Sequence, residues 1–487
     1  MAPTSSAPLL PVRTDVLIVG AGPAGLTLAA SLRQLGVDHL VIDRATGIRP
    51  GSKAAAVQPR TLEYLERIGV SEWLIQEGAR GRGFRVHDRE KTLLRACYDD
   101  LDTPYPYVLL ISQQVTEEHL LRRLNELGGT VYRDHRFLGA SAGFPGSIGT
   151  VAGPDGVLHA VSARYIVGCD GVHSAVRTTA DIAFPGDTHE QRFAVADVRL
   201  DLGNTAGQDA TFYLSAGMLL LSPLAGGLHR IVASTPSPEP PTLSDLEQLL
   251  AERGSRSNTP RVLEVVAAST YHVQERVAAR FRAGNVFLVG DAAHTHSPAG
   301  AQGMNTGIQD AGNLAWKLHA VLCGLAPEEL LDSYHRERHP IAAGMVSFTS
   351  QFAALANMRD PAAGDIRNRV LAAAAAVPGV TARIARKLAQ LDIAYTEEPD
   401  QGAPRVGGRV SPRIVPSAGL NWTLALPDAG TPQPERPAPQ SALVVRRLPG
   451  LDGPLLVRPD GYLAAANASP TVDGTLEDLS NGFLSAR

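Results

Sequence analysis

Gly20, Gly22 and Gly25 stand in the spacing G-x-G-x-x-G, and Asp43 follows 23 residues after the first of them. Those residue types at that spacing suit a dinucleotide. The first glycine permits a tight turn, the second lets a pyrophosphate approach the backbone, and the third lets a helix pack closely on a strand. An acidic side chain about 20 residues further on accepts from ribose hydroxyls. The flanking residues supply the frame such a site needs. Asp15–Val19 is a short β-rich apolar run fit for a buried parallel strand. Pro23 suits a first helical position, Gly36 a helix stop, and His39–Asp43 a second strand. Together they make one βαβ unit in about 30 residues, which the spacing predicts as a nucleotide-binding start to the chain.

Composition narrows the function classes. The 487 residues are 44% apolar and 19% charged, which excludes wholesale disorder and leaves room for two or three cores. Net charge is −4, and only Lys53, Lys91, Lys317 and Lys387 are lysines among 45 basic residues, so no polybasic tract points to a nucleic-acid partner. Cys97, Cys169 and Cys323 are far apart and outside any CxxC, which argues against a disulfide framework or thiolate zinc site and for a reducing cytoplasm. Val16–Leu32 is uncharged, but Gly20, Gly22, Pro23 and Gly25 interrupt it, so neither a membrane span nor a signal segment is expected.

Further along, helix patterning covers 61–79 and Thr116–Leu127, and a strand is expected at Ala163–Gly168. From 182 to 280 the texture becomes alternating strands (Phe193–Leu200, Ala210–Leu214, Leu219–Leu221, His229–Ala233) with one helix near 243–253. That change predicts an antiparallel sheet inserted into the first domain. Nucleotide-domain texture returns at Asn285–Gly290, and helices dominate 304–392. Leu455–Leu463 reads as a hairpin. The expected fold is therefore α/β. A Rossmann-like nucleotide-binding domain takes 12–75, 101–181 and 281–392, and the inserted antiparallel-sheet domain 76–100 and 182–280. A small C-terminal α/β domain takes 396–487.

The choice of FAD rests on two later motifs. Tyr165-Ile-Val-Gly-Cys-Asp170-Gly171-Val-His-Ser174-Ala-Val-Arg177 and Gly284-Asn-Val-Phe-Leu-Val-Gly290-Asp291-Ala-Ala-His294 with Pro298 resemble signatures of the class A flavoprotein monooxygenases, the para-hydroxybenzoate hydroxylase superfamily. The resemblance runs from about residue 14 to 340. Arg458-Pro-Asp-Gly-Tyr462 further resembles the polyketide and phenol hydroxylase branch, whose C-terminal domain is thioredoxin-like. Lacking CxxC, such a domain here has no thiol redox role.

The resemblance implies FAD, with NADPH or NADH as co-substrate and O2, in a monomer or homodimer acting on a small aromatic molecule of phenolic or polyketide type. It implies ring hydroxylation through a flavin C4a-hydroperoxide. Carried over by position, Gly20, Gly22, Ala24 and Gly25 face the pyrophosphate, and Asp43 and Arg44 the adenosine end. Gln113 lies near the flavin chain, Asp170 and Arg177 form the Asp-Gly motif, and Asp291 holds the ribityl chain. Two residues depart from the family pattern. Asp43 replaces the usual glutamate, and Lys53 the usual arginine, which loses bidentate phosphate geometry; Arg60 either restores it or is an arginine solvated or paired with Glu63, the two readings standing level.

Pro298, Gly300 and Gly303 form a loop entering a helix with Met304 and Asn305, whose backbone donors suit negative charge at the flavin. These three are the expected catalytic loop. His294-Thr-His296 has no nearby third ligand, so no metal is expected. Tyr334–Pro340 reads as a solvated helix end stopped by Pro340, and Met218–Leu221 as core of the inserted sheet. Tyr213 and His229 are guesses for a substrate base. Baeyer–Villiger or epoxidising oxygenation, or a flavin-holding protein that binds a biosynthetic intermediate without oxygenating it, are the alternatives.

Overall fold

Val16, Leu17 and Ile18 have no exposure at all, as an uncharged β-rich run buried on both faces requires. The computed structural model, which describes residues 10–48, 55–143, 146–202, 209–297, 300–358, 360–396, 405–428 and 443–466, places them in the centre of an eight-stranded sheet. The nucleotide part of the chain runs β1 (Arg13–Val19), α1 (Pro23–Gln34), β2 (His39–Ile42), α2 (Gln113–Glu126) and β3 (Leu158–Gly168). Next come β4 (Gly186–Asp201), β5 (Leu219–Pro223), β6 (Leu228–Thr235) and β7 (Arg261–Val277). The chain then returns through β8 (Val286–Leu288) and β9 (His294–Thr295) to α3 (Gly303–Leu322) and α4 (Asp332–Ala356).

In the first sheet β8, β3, β1 and β2 pair in parallel, in that order. Val19 is level with Gly168 on one side and Ile42 on the other, so the carboxyl ends of three strands open at one place. That is where α/β sheets bind ligands. α2 starts at Gln113, three residues earlier than the apolar spacing suggests, because the Ser112 hydroxyl caps it by accepting from Val115 N–H at 3.3 Å.

The second sheet runs β9, β7, β4, β6, β5, then Ala210–Tyr213, Gly83–Asp88 and Lys91–Cys97. All its pairings are antiparallel except that of Ala210–Tyr213 with Gly83–Asp88. The 83–97 hairpin thus joins a sheet made mostly of much later residues, and β9 closes its other edge. β7 was not expected. Its 17 residues are mostly half-buried or exposed, so hydrophobic alternation is weak along it.

Pro340 does not end a helix. α4 runs through it for 25 residues, and Tyr334 and Arg338 are fully buried. A helix-interior proline costs about 3 kcal/mol. The flanking residues offset that cost. Tyr334 Oη donates to the Leu288 carbonyl at 2.7 Å, Arg338 Nε donates to Asp310 Oδ1 at 2.7 Å, and Glu337 accepts from Lys317 Nζ at 2.9 Å.

The C-terminal described residues form a four-stranded sheet ordered Leu443–Leu448, Trp422–Pro427, Leu455–Val457, Leu463–Ala466, the first pair parallel and the others antiparallel. The last two strands form the expected hairpin. No helix accompanies the sheet among the described residues from 405 onward. Its Arg458–Tyr462 turn reaches into the first domain. Arg458 donates to Glu337 from both terminal nitrogens at 2.8 Å, and Arg409 pairs with Glu63.

Candidate active site

A cavity of about 970 Å³ opens at the carboxyl ends of β1, β2 and β3 and continues along the second sheet. Its nucleotide end is built by the glycine turn. Gly20 adopts φ +105, and a Cβ there would sit 2.3 Å from the Cys169 carbonyl oxygen. A Cβ on Gly25 would sit 2.0 Å from the Gly20 carbonyl oxygen, so this glycine is required for helix-to-strand packing and lies off the cavity wall. A Cβ on Gly22 would meet no protein atom within 4 Å; that face is open to the cavity. Ala24 lines it too.

Asp43 ends β2 with its carboxylate fixed by backbone donors, Ala21 N–H at 2.6 Å and Ala45 N–H at 2.7 Å. Each oxygen keeps a lone pair for a ligand hydroxyl. Arg44 is exposed on the same wall. Arg133 and His135 join them there, and the sequence reading missed both. The available signal was positional: they follow Val131–Tyr132, a further parallel strand beside β2, at the carboxyl end where ligands gather. Gln113 lines the wall and donates to Glu117 Oε1 at 2.8 Å, and burial raises the Glu117 carboxyl.

Asp170 also faces the cavity. Its Oδ2 accepts from Ala175 and Val176 N–H at 2.7 and 3.2 Å, while Oδ1 is buried with no hydrogen-bond partner. Burial raises this carboxyl above the usual range. An orphaned buried acceptor costs about 1–3 kcal/mol, a debt a ligand donor would cancel. Asp291 presents an exposed carboxylate from the Gly290–Ala292 turn. That turn rests on Asp310, whose Oδ2 lies 2.7 Å from His294 Nε2 and 3.4 Å from Gly290 N, while Arg338 holds Oδ1. Asp310, His294 and Arg338 are all buried; burial pushes the Asp310 carboxyl up, but the Arg338 guanidinium and the His294 contact outweigh it and hold its pKa below the usual value. His294 is therefore spent on Asp310. No group of three His, Cys, Asp or Glu fit for a metal occurs among the described residues.

Several expected contacts are placed elsewhere. Arg177 is off the wall, donating to the Val172 and Ala292 carbonyls at 2.7 and 2.8 Å, so it ties two cavity loops together. Asn305 is also off the wall. Its amide accepts from Gln58 N–H at 2.8 Å and donates to the Ala56 and Ala301 carbonyls, clamping the 56–58 segment to α3. Arg60 does not restore a phosphate contact. It is buried against Glu63 and the Asp460 carbonyl. Lys53 and Pro298 lie outside the described residues. Gly303 and Met304 line the cavity, and Gly300, with φ +89, stands just behind it. Next to it Ala301 holds φ +53, a conformation costing a non-glycine residue roughly 1–2 kcal/mol. Gln302 holds the loop by donating to the Gly300 and Leu388 carbonyls at 2.7 and 3.0 Å.

Phe84, Leu220, Val232 and Val273 make much of the second-sheet end of the cavity apolar, with Ser222, Arg230, Tyr271, His272, Gln274, Thr295 and His296 among its polar groups. Arg230 is 2% exposed and paired with Asp197 by two bonds of 2.7 and 2.8 Å. Burial raises the Tyr271 hydroxyl well above its ordinary value. Tyr213 and His229 are not on the wall. Met218 and Leu219 are core, as expected, but strand alternation turns Leu220 to the cavity. The open face of Gly22, the two carboxylates and the orphaned Asp170 oxygen fit an extended dinucleotide. No helix among the described residues is long and apolar enough to cross a membrane.

Comparison with known proteins agrees with that fit. Residues 13–349 match the model of an FAD binding domain family. The chain is 32% identical over 519 residues to a Streptomyces rimosus 12-dehydrotetracycline 5-monooxygenase/anhydrotetracycline 6-monooxygenase, covering 97% of this chain and 99% of that one. Among solved structures, OxyS anhydrotetracycline hydroxylase from Streptomyces rimosus superposes with TM-score 0.78 at 32% identity, covering 96% of this chain and 98% of that one. The Diels-Alderase PyrE3 of pyrroindomycin biosynthesis superposes with TM-score 0.75 at 27% identity, covering 96% and 99%.

Proposed function

Because the chain belongs to the FAD-binding family of class A flavoprotein monooxygenases, we propose that it hydroxylates an aromatic ring of phenolic or polyketide type, with NADPH or NADH as electron donor and O2 as co-substrate. The observation that carries this reading is the continuity of one cavity from the glycine turn to the apolar wall of the second sheet. Bound there, FAD supplies hydride acceptance from the nicotinamide and oxygen activation at its C4a position. The chain's own work is to bind, orient and exclude water. Gly20, Gly22 and Ala24 leave room for the pyrophosphate, Asp43 and Arg44 with Arg133 and His135 take the adenosine end, and Gln113, Asp170 and Asp291 take the remaining polar groups. The backbone N–H groups of Gly303 and Met304, at the start of α3 on the cavity wall, would meet negative charge on the flavin. Arg177 and Asn305 hold those walls in place from behind, and Gln302 braces them from the wall itself.

The apolar second-sheet wall suits a flat ring and keeps water from the reacting carbon. A non-oxygenating role is the second reading, favoured by the likeness to a structure described as a Diels-Alderase. One experiment separates the two. Purified protein with flavin absorption is mixed anaerobically with NADPH and then with a panel of polycyclic phenols. Bleaching that accelerates with a phenol, and hydroxylated product on admitting O2, is the expected result. Flavin that binds but bleaches with neither nicotinamide would favour the second reading, and a protein that takes up no FAD would overturn both.

A further inference from the structure

The mechanism above leaves the substrate without a base, and Tyr213 and His229 do not reach the cavity. His296 does. It stands where β9 leaves the edge of β7, after the pairs Arg276 with Thr295 and Val277 with His294, and before the chain turns into α3. It therefore lies at the seam between the ring-binding wall and the flavin end. Its Nδ1 is 2.7 Å from the Ser297 carbonyl oxygen, which can only accept, so Nδ1 carries the proton and Nε2 presents a lone pair. That Nε2 is shielded from bulk water and has no hydrogen-bond partner. A Cβ at position 303 would come within 2.9 Å of it, so Gly303 is what leaves the lone pair uncrowded. A buried acceptor held in one tautomer, on the wall of the cavity and without a donor, is matched by a ligand that brings the donor.

We propose that His296 Nε2 is the general base that takes the proton from a phenolic hydroxyl of the substrate, and that the substrate docks with that hydroxyl at the seam between β7 and α3. The proposal rests on the hydroxylase reading. In the step, the phenol O–H bond breaks, its electron pair stays on oxygen, and a new N–H bond makes the ring an imidazolium still donating from Nδ1 to Ser297. The phenolate is the more electron-rich ring for an electrophilic oxygen. Burial lowers the basicity of His296, which keeps it neutral near pH 7 and able to accept. The charged and titratable groups facing it are His294 and Asp291 from its own loop and Glu275 from β7, with Tyr271, His272 and Arg230 on the same cavity wall. Tyr271 stays protonated because burial raises it, Arg230 is held by Asp197, and the His272 Nε2 lone pair accepts from Arg192 Nε at 3.0 Å, so none of the three competes as base.

The test uses the FAD-loaded protein and polycyclic phenols graded in acidity, with turnover normalised to bound flavin. Wild type should vary little with phenol acidity. His296→Gln should lose about 100-fold or more on weakly acidic phenols, the usual scale for a general base. It should recover on the most acidic phenols or as the pH is raised toward the phenol's own pKa. The acid limb of the wild-type pH profile should disappear in the variant. An equal loss across the whole phenol series, or none, would overturn the proposal. A second readout needs no variant: 2-hydroxyanthraquinone bound to wild type at a pH where the free compound is neutral should show its phenolate spectrum. A neutral bound spectrum would overturn the proposal. A wild-type flavin that no nicotinamide bleaches would overturn the hydroxylase reading instead, and the bound spectrum would still decide the role of His296.

Discussion

Gly22 and Gly25 are three residues apart and do different work. Alanine at Gly25 would place a methyl 2.0 Å from the Gly20 carbonyl oxygen, so helix α1 must move or the turn must open. Alanine at Gly22 meets no protein atom, and its backbone φ of −78 suits any residue. Gly22→Ala should therefore keep or raise stability by about 0.4–1 kcal/mol while weakening FAD, because the methyl occupies the phosphate approach. Gly25→Ala should lose both stability and flavin. Urea unfolding of the apoprotein and flavin titration of each variant check this, and equal stability losses would contradict it. At this scale the motif was legible because its parts are neighbours in sequence. Arg177 and Asn305 were not legible as braces. Their partners, Ala292 and Gln58, lie 115 and 247 residues away, and nothing local says which way a side chain turns. Asp310 is the same case, hidden 28 residues from Arg338 and 16 from His294.

Among elements, α4 shows what tertiary contacts override. Pro340 is exposed, so its ring packs against little, while the residues before it are anchored in the core. Pro340→Ala restores a backbone donor without removing a contact. It should raise the unfolding free energy by about 1–3 kcal/mol with flavin content unchanged. A lower denaturation midpoint would show that the ring is needed. The β1–α1–β2 unit was legible in sequence because strand, turn, helix and strand follow one another with their own stop signals. The second sheet was legible in kind but less so in extent. β7 lacks clean alternation, and the Gly83–Cys97 hairpin joins through a pairing 126 residues distant in sequence. Without register, no parity rule tells Leu220 from Leu219, or sends Tyr213 away from the cavity.

At the scale of the whole molecule, charge ties the C-terminal sheet to the nucleotide domain. Arg409 meets Glu63, and Arg458 meets Glu337, which also holds Lys317. Their cationic partners outweigh burial and hold both glutamates below the ordinary value of 4.5. Carboxyls depressed by folding contribute stability that is fully present above that value and lost as pH falls below it. Acidification below about pH 4.5 should therefore loosen the C-terminal sheet. Trp316 and Trp422, 5.5 Å apart edge to face across the same boundary, should report the change in fluorescence. Arg458→Gln leaves Glu337 with the Lys317 cation and the neutral Asn313 amide and should cost about 3–5 kcal/mol, moving the fluorescence change to higher pH. Release at the same pH in wild type and variant would place the tie elsewhere. The tie also orders events in time. Arg409 follows Glu63 by 346 residues and Arg458 follows Glu337 by 121, so on the ribosome the nucleotide domain must persist with the charges of Glu63 and Glu337 answered only in part until residue 458 emerges. Each glutamate is made well before the C-terminal arginine that neutralises it.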